Sequence, residues 1–201
     1  MPRNAPSKTA SKTASKSARP APKAAKKADA IKILTEDHRK VADLFDEFEK
    51  LKKKDELDDE SKQYIVETAC AELTIHAQLE EEIFYPAARD AIEDMDLLDE
   101  AEVEHASAKQ LISELSAMQP GDDLYDAKFT VLGEYVKHHV EEEENELFKK
   151  VKKAELDLEE IGEEILQRRM ELREELGIAS DEEEIEAEEA PSTTKRRRSV
   201  H

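Results

Sequence analysis

Apolar residues recur along the chain at alternating steps of three and four, the spacing of one helical face, over four long stretches. The first follows Asp29, an N-cap residue type, and carries Ile31, Leu34, Val41, Phe45 and Phe48. It predicts a helix ending before Lys52-Lys53-Lys54-Asp55. The second carries Ile65, Ala69, Leu73, Ile83 and Ala87, with Pro86 expected to disrupt or kink its last turn. The third aligns Leu98, Ala101, Ala108, Ile112 and Leu115 and stops at Pro120-Gly121. The fourth follows an Asp122-Asp123 cap with Phe129, Leu132, Val136 and Leu147. Helices of roughly 20 residues joined by short loops predict an up-down-up-down four-helix bundle. A fifth helix opens at Asp157, has Glu160 three residues on, and closes at Gly177. The predicted organisation is all-α: a bundle over 29–153, an accessory C-terminal helix over 154–178, and tails over 1–28 and 179–201.

These stripes are not wholly apolar. Each contains one histidine: His38, His76, His105 and His139. Two contain a glutamate one turn later, Glu80 after His76 and Glu143 after His139, on the same face. Burying imidazoles and carboxylates without partners costs several kcal/mol per unpaired charge, on the order of a whole domain's stability. A multivalent cation relieves both problems, because neutral imidazole and carboxylate are its ligands and its charge offsets theirs. One His-x3-Glu pair is weak evidence in so acidic a chain, and a lone core histidine is usually a packing residue. The coincidence across four helices predicts a metal site.

Composition sharpens this picture. The chain has 201 residues with 51 acidic and 31 basic side chains, net −20, few aromatics, four glycines and no tryptophan. Such usage opposes a sandwich or barrel and favours helices. No apolar run is long enough for a membrane span, and residues 1–30 lack the apolar stretch of a secretory signal. A lone cysteine, Cys70, excludes an internal disulfide framework, suits a reducing cytoplasm and reads as a small packing residue. Charge is unevenly placed: residues 1–30 hold eight Lys or Arg against one acid, residues 31–180 hold 43 acids against 19 bases, and Lys195-Arg196-Arg197-Arg198 ends the chain. Both tails are expected to be disordered.

The motifs Asp37-His38-Arg39, His76-Ala-Gln-Leu-Glu80-Glu81-Glu82-Ile-Phe84-Tyr85-Pro86, Glu104-His105 and His138-His139-Val-Glu-Glu-Glu143-Glu144-Asn-Glu-Leu-Phe148 resemble the hemerythrin-like, His-His-Glu cation-binding family. The segment Leu156-Asp-Leu-Glu-Glu-Ile-Gly162 also resembles the stretch C-terminal to the domain in bacterial members. The resemblance implies two non-haem iron ions, oxo- or hydroxo-bridged, inside a four-helix bundle. It implies His38, His76, Glu80, His105, His139 and a fourth-helix carboxylate as ligands, with Glu80 and that carboxylate bridging. Aligning Phe148 with Tyr85 pairs Glu143 with Glu80, while Glu144 fits another version of the pattern and His138 stands beside His139. Oxygen-carrying members have a further histidine one turn before the helix-three ligand, where this chain has Ala101. Water or a nearby carboxylate such as Glu81 or Glu104 would fill that place. The departure argues against oxygen carriage and for a more open site.

Three functions compete. The first is a metal-binding protein whose iron pair takes O2 or a related small molecule, for sensing or handling oxygen, iron or redox state. The second is an interaction protein whose basic tails touch nucleic acid or another acidic partner around a structural metal. The net −24 of residues 31–180 opposes this beyond weak, tail-only contact. The third is an enzyme decomposing peroxide at the iron pair. No nucleophile triad or phosphate loop supports other catalysis. Tyr64, Tyr85 and Tyr135 are candidates for supporting the ligands, although core or boundary packing is the plainer expectation.

Overall fold

The computed structural model describes residues 29–54, 58–93 and 95–178. The predicted tails, 1–28 and 179–201, therefore lie outside the described residues. Among those described, the chain is all-helical, with no strand. The helices are α1 (Ala30–Lys54), α2 (Asp59–Leu79), α3 (Tyr85–Ala91), α4 (Met95–Ser116), α5 (Tyr125–Glu142), α6 (Phe148–Val151) and α7 (Leu158–Leu176). Two π-helical turns, Glu80–Phe84 and Glu143–Leu147, join α2 to α3 and α5 to α6 without a break.

Local chemistry sets several of the helix ends. Asp29 accepts the amide of Lys32, Asp58 that of Ser61, and Asp157 those of Glu159 and Glu160. Each side chain satisfies amides that have no partner inside the helix. Gly177 closes α7 in the left-handed conformation at φ 66°, its amide returning to the carbonyls of Arg173 and Glu174. Two ends differ from the expectation drawn from sequence. Helix α1 runs through Lys52, Lys53 and Lys54, whose charges suit the negative end of its dipole. The Asp122-Asp123 pair does not cap α5. Asp122 instead accepts the amide of Gln119 within the loop, and Leu124 precedes the helix with φ 72°.

Helix α1 packs on α2, α4 on α5, α1 on α5 and α2 on α4, closing a ring of four. Inside the ring lie two separate apolar clusters. One contains Leu34, Leu79, Phe84, Leu98, Ala101 and Phe148. The other contains Val41, Phe48, Leu73, Leu115, Phe129 and Leu132. In α1 and α4 the residues of the first cluster precede those of the second, and in α2 they follow them. His38 and His105 lie between their helices' contributions to the two clusters, His76 follows Leu73 of the second cluster and adjoins Ile75 of the first, and His139 lies between Leu132 of the second and Leu147 of the first. Helix α7 covers the first cluster with Ile161, Ile165 and Leu172, lying against α1 and α2.

The π turns move the buried stripe by one residue. A π turn bonds i to i+5, as the amide of Tyr85 does to the carbonyl of Glu80 and that of Phe148 to Glu143. After Glu80 the fully buried positions are therefore Phe84, Tyr85 and Ala88, while the expected Ile83 and Ala87 are only partly buried. Pro86 sits in the first turn of α3, where its missing amide is tolerated, and the rod continues as helix. Proline does not itself demand the π turn, since the second one has Lys149 at the corresponding place.

Candidate metal centre

Between the two apolar clusters lies a polar layer of six side chains: His38 from α1, His76 from α2, His105 from α4, His139 from α5, and Glu80 and Glu143 opening the π turns. All six are buried; Glu80 is 0% exposed and His139, the most exposed, 8%. The structure thus brings together every residue singled out on the four stripes. His138 points outward with its side chain 62% exposed. Glu144 lies outside the layer, its carboxylate on the far side of His38.

Each imidazole is gripped from outside by a carboxylate at Nδ1. Glu144 holds His38 at 2.9 Å, Asp37 holds His76 at 3.4 Å, Glu81 holds His105 at 2.9 Å, and Glu104 holds His139 at 2.8 Å. With Nδ1–H donating to a carboxylate, the other nitrogen, Nε2, carries a lone pair, and in all four rings it faces the layer's centre. There, His38 Nε2 lies 3.2 Å from Glu143 Oε2, His76 Nε2 3.1 Å from Glu80 Oε2, and His105 Nε2 3.3 Å from the same Glu80 oxygen. His105 Nε2 and His139 Nε2 are 3.2 Å apart.

The arrangement repeats within the chain. His76, Glu80, Glu81 and Tyr85 correspond to His139, Glu143, Glu144 and Phe148, and Asp37-His38 corresponds to Glu104-His105. Each half thus supplies two histidines, one inner glutamate and two outer carboxylates. The outer carboxylate beside each first-helix histidine grips the second-helix histidine of its own half. The one after each inner glutamate grips a histidine of the other half. Two differences break the symmetry. Tyr85 places its hydroxyl 3.4 Å from Glu80 Oε2 and 3.4 Å from His105 Nε2, whereas Phe148 stacks on His38 at 5.8 Å between ring centroids. Asp37 is also bound by Arg169 of α7, and the neighbouring Arg168 of α7 binds Glu82 in the first π turn. Tyr85 thus reaches the layer, Tyr64 is largely exposed, and Tyr135, half exposed, borders the space beside the imidazoles.

Lone pairs facing lone pairs repel, and burial removes the water that would separate them. His38 Nε2, His76 Nε2, Glu80 Oε1 and both oxygens of Glu143 are buried without a hydrogen-bond partner. Each such atom costs roughly 1–3 kcal/mol, more if charged. Protons relieve part of this cost. Burial opposes charge on His76, but Glu80 and Asp37 outweigh it and raise its pKa well above the imidazole value. His105 is raised in the same way by Glu80 and Glu81 against its burial. Burial favours a neutral Glu80, yet His76 and His105 hold it well below the carboxylate range. Glu143 goes the other way, raised by burial and by the charge of Glu80.

Metal ions fit the same positions. Bonds of about 2.1 Å place neighbouring ligand atoms roughly 3.0–3.4 Å apart, the range of the Nε2 and carboxylate separations above. His38, His76, Glu80 and Glu143 form one group able to surround an ion, and Glu80, His105 and His139 form a second that shares Glu80. Beside the layer, toward the second apolar cluster, lies a cavity of about 40 Å³ walled by Val41, Leu73, Ile112 and Val136 and reaching all four imidazoles.

The four outer carboxylates and Arg169 are not evident as a set from sequence. Asp37 and Glu104 are marked by preceding a stripe histidine, and Glu81 and Glu144 by following a stripe glutamate. Nothing local marks Arg169, 132 residues from Asp37.

Residues 29–151 match the family model described as the hemerythrin HHE cation-binding domain. No curated protein matches the chain. A crystal structure of a hemerythrin HHE cation-binding domain-containing protein from Mycobacterium kansasii superposes with a TM-score of 0.61 at 22% identity, covering 73% of this chain and 88% of that one.

Proposed function

Since the chain belongs to the hemerythrin HHE cation-binding family, we propose that its helices form an up-down-up-down bundle holding two non-haem iron ions, at which O2 or a related small molecule binds. His38 and His76 with Glu80 and Glu143 hold one ion in this reading, and His105 and His139 with the shared Glu80 hold the other. The observation that carries it is the set of buried atoms without hydrogen-bond partners on His38, His76, Glu80 and Glu143, four residues that bring one ligand atom each within 4.8 Å of one another. Mixed imidazole and carboxylate donors suit first-row transition ions better than calcium or magnesium.

When bound, the iron pair supplies reversible redox chemistry and coordination positions for a diatomic or peroxide-sized ligand. The chain's own residues do the rest. Asp37, Glu81, Glu104 and Glu144 fix each imidazole with Nε2 inward and raise its basicity. The apolar walls of the cavity admit a molecule of two or three heavy atoms and exclude large solutes. The Tyr85 hydroxyl offers a hydrogen bond on the His105 side. Ala101 brings a methyl group where oxygen-carrying members have a histidine, which supports sensing or handling of the ligand rather than carriage.

Iron-loaded full-length protein is expected to hold about two irons per chain. Its optical spectrum should change when O2 or peroxide is added. His76→Ala and Glu80→Ala should each lose iron while keeping most of the helical circular dichroism. A fully helical protein that retains no iron after anaerobic reconstitution would sink the proposal. Sustained peroxide turnover, lost in the same variants, would make the protein an enzyme rather than a binder.

A further inference from the structure

The buried layer uses four of the bundle's histidines and leaves His138 aside. Its Nε2 lies 3.7 Å from Glu104 Oε1 on α4 and 3.6 Å from Glu142 Oε1 one turn along α5. One ligand atom from each of the three lies within 4.8 Å of the others. A cation with bonds of about 2.1 Å needs only a small inward movement of such atoms. Glu104 faces two ways: Oε2 accepts the Nδ1–H of the buried His139 at 2.8 Å, and Oε1 is turned toward His138.

This cluster is connected to the buried layer. Leu97, Ala101, Glu104, His139, Glu142 and Glu143 line one narrow cleft of about 10 Å³, in which Glu104 and Glu142 are partly exposed and Glu143 is buried. Glu143 is 3% exposed, and neither of its oxygens has a hydrogen-bond partner. Ala101 lines this cleft with a methyl group alone, so a longer side chain there would narrow it.

The internal repeat supplies a control. The residues matching His138 and Glu142 in the other half are Ile75 and Leu79, both buried in the apolar cluster that α7 covers. The counterpart of Glu104 is Asp37, already bound by the Arg169 guanidinium, which repels a cation. Among the described residues, only this half therefore presents an imidazole and two carboxylates beside the inner glutamate.

We propose that Glu104, His138 and Glu142 form an outer site for a divalent first-row transition-metal cation, which takes the ion from solvent and delivers it through the Ala101 cleft to Glu143. One neutral imidazole and two carboxylates match a double positive charge, and water completes the coordination, so the ion is held weakly and exchanges. The proposal rests on the reading of the inner layer as a metal centre.

The test uses full-length metal-free protein with Mn2+ as the probe, counted by the paramagnetic resonance of the free ion, and anaerobic Fe2+ uptake followed against a chelator. Wild type is expected to bind one more Mn2+ per chain than the His138→Ala, Glu142→Gln double variant. The double variant should also take up Fe2+ more slowly, by on the order of tenfold for the loss of a charged funnel, and reach the same final occupancy. Ala101→Val should keep the outer ion and still slow uptake. An unchanged Mn2+ count in the double variant overturns the site. Loss of the outer ion with unchanged Fe2+ uptake overturns the delivery. Wild-type protein that binds only the weak ion, with no tightly held pair, would instead defeat the reading of the inner layer.

Discussion

At the scale of single residues, the centre depends on a balance of protons that a cation replaces. In the metal-free protein, His76 and His105 have pKa values raised above the imidazole range. The stability they contribute is fully present below about pH 6.5 and is lost as pH rises through their folded values. Glu143, also raised, acts with the same sign: its neutral form is favoured at low pH, and that gain is lost on the alkaline side. Glu80, depressed, contributes only above the ordinary carboxylate value and loses its contribution as pH falls. Metal-free protein is therefore expected to melt at its highest temperature in mildly acidic solution and at falling temperatures above about pH 6.5. Metal-loaded protein should lose that alkaline decline, as thermal melts across pH with and without a chelator would show. Removing a gripping carboxylate has a separate effect. Glu81→Ala leaves the His105 ring free to turn, and metal affinity measured by competition is expected to fall about 10–100-fold. Glu81→Gln, which can still accept the Nδ1–H, should fall less. Cys70 stands apart from this chemistry, in the second apolar cluster, where burial pushes its thiol pKa up to about 12.

At the scale of elements, the helices owe their spacing to a few contacts. Gly133 of α5 faces Phe45 of α1, and a Cβ there would meet the ring at 2.9 Å. Gly133→Ala gains up to ~1 kcal/mol in helix propensity but incurs ~1–3 kcal/mol from overpacking, so a net loss of about 1 kcal/mol is expected in denaturant titrations. The four stripes were legible because each helix turns one periodic face inward, and Val41, Leu73, Leu98 and Leu132 are buried as that period requires. The six residues of the buried polar layer were legible for the same reason, as polar residues in apolar registers. The π turns were not. One extra residue in a turn leaves no mark on composition, and it exchanged the expected Ile83 and Ala87 for Phe84, Tyr85 and Ala88. That shift is what carries the Tyr85 hydroxyl to His105, a contact strict α-helical spacing does not suggest. The cap at Asp122 failed for a similar reason: the side chain satisfied a nearer loop amide. Helix α7 was legible from Asp157 and Gly177, but its grip on Asp37 through Arg169 joins residues too distant for any local pattern.

At the scale of the whole molecule, a net charge of −20 conceals an acidic interior that the surface count does not describe. Most carboxylates are solvated, yet Glu80 and Glu143 sit between two apolar clusters where only the surrounding histidines compensate them. The halves that meet there are near copies. The stretch from α1 to α3 brings His38, His76 and Glu80, and the stretch from α4 to α6 brings His105, His139 and Glu143. Two of the four outer grips, Glu144 on His38 and Glu81 on His105, cross from one half to the other. The molecule is in effect a pair of hairpins clasped at the middle and written on a single chain. Cutting the connection between α3 and α4 should leave two fragments that find each other again, more tightly with ferrous or manganous ions than without. Co-purification of the pieces, one of them tagged, with and without a chelator would measure the strength of that clasp.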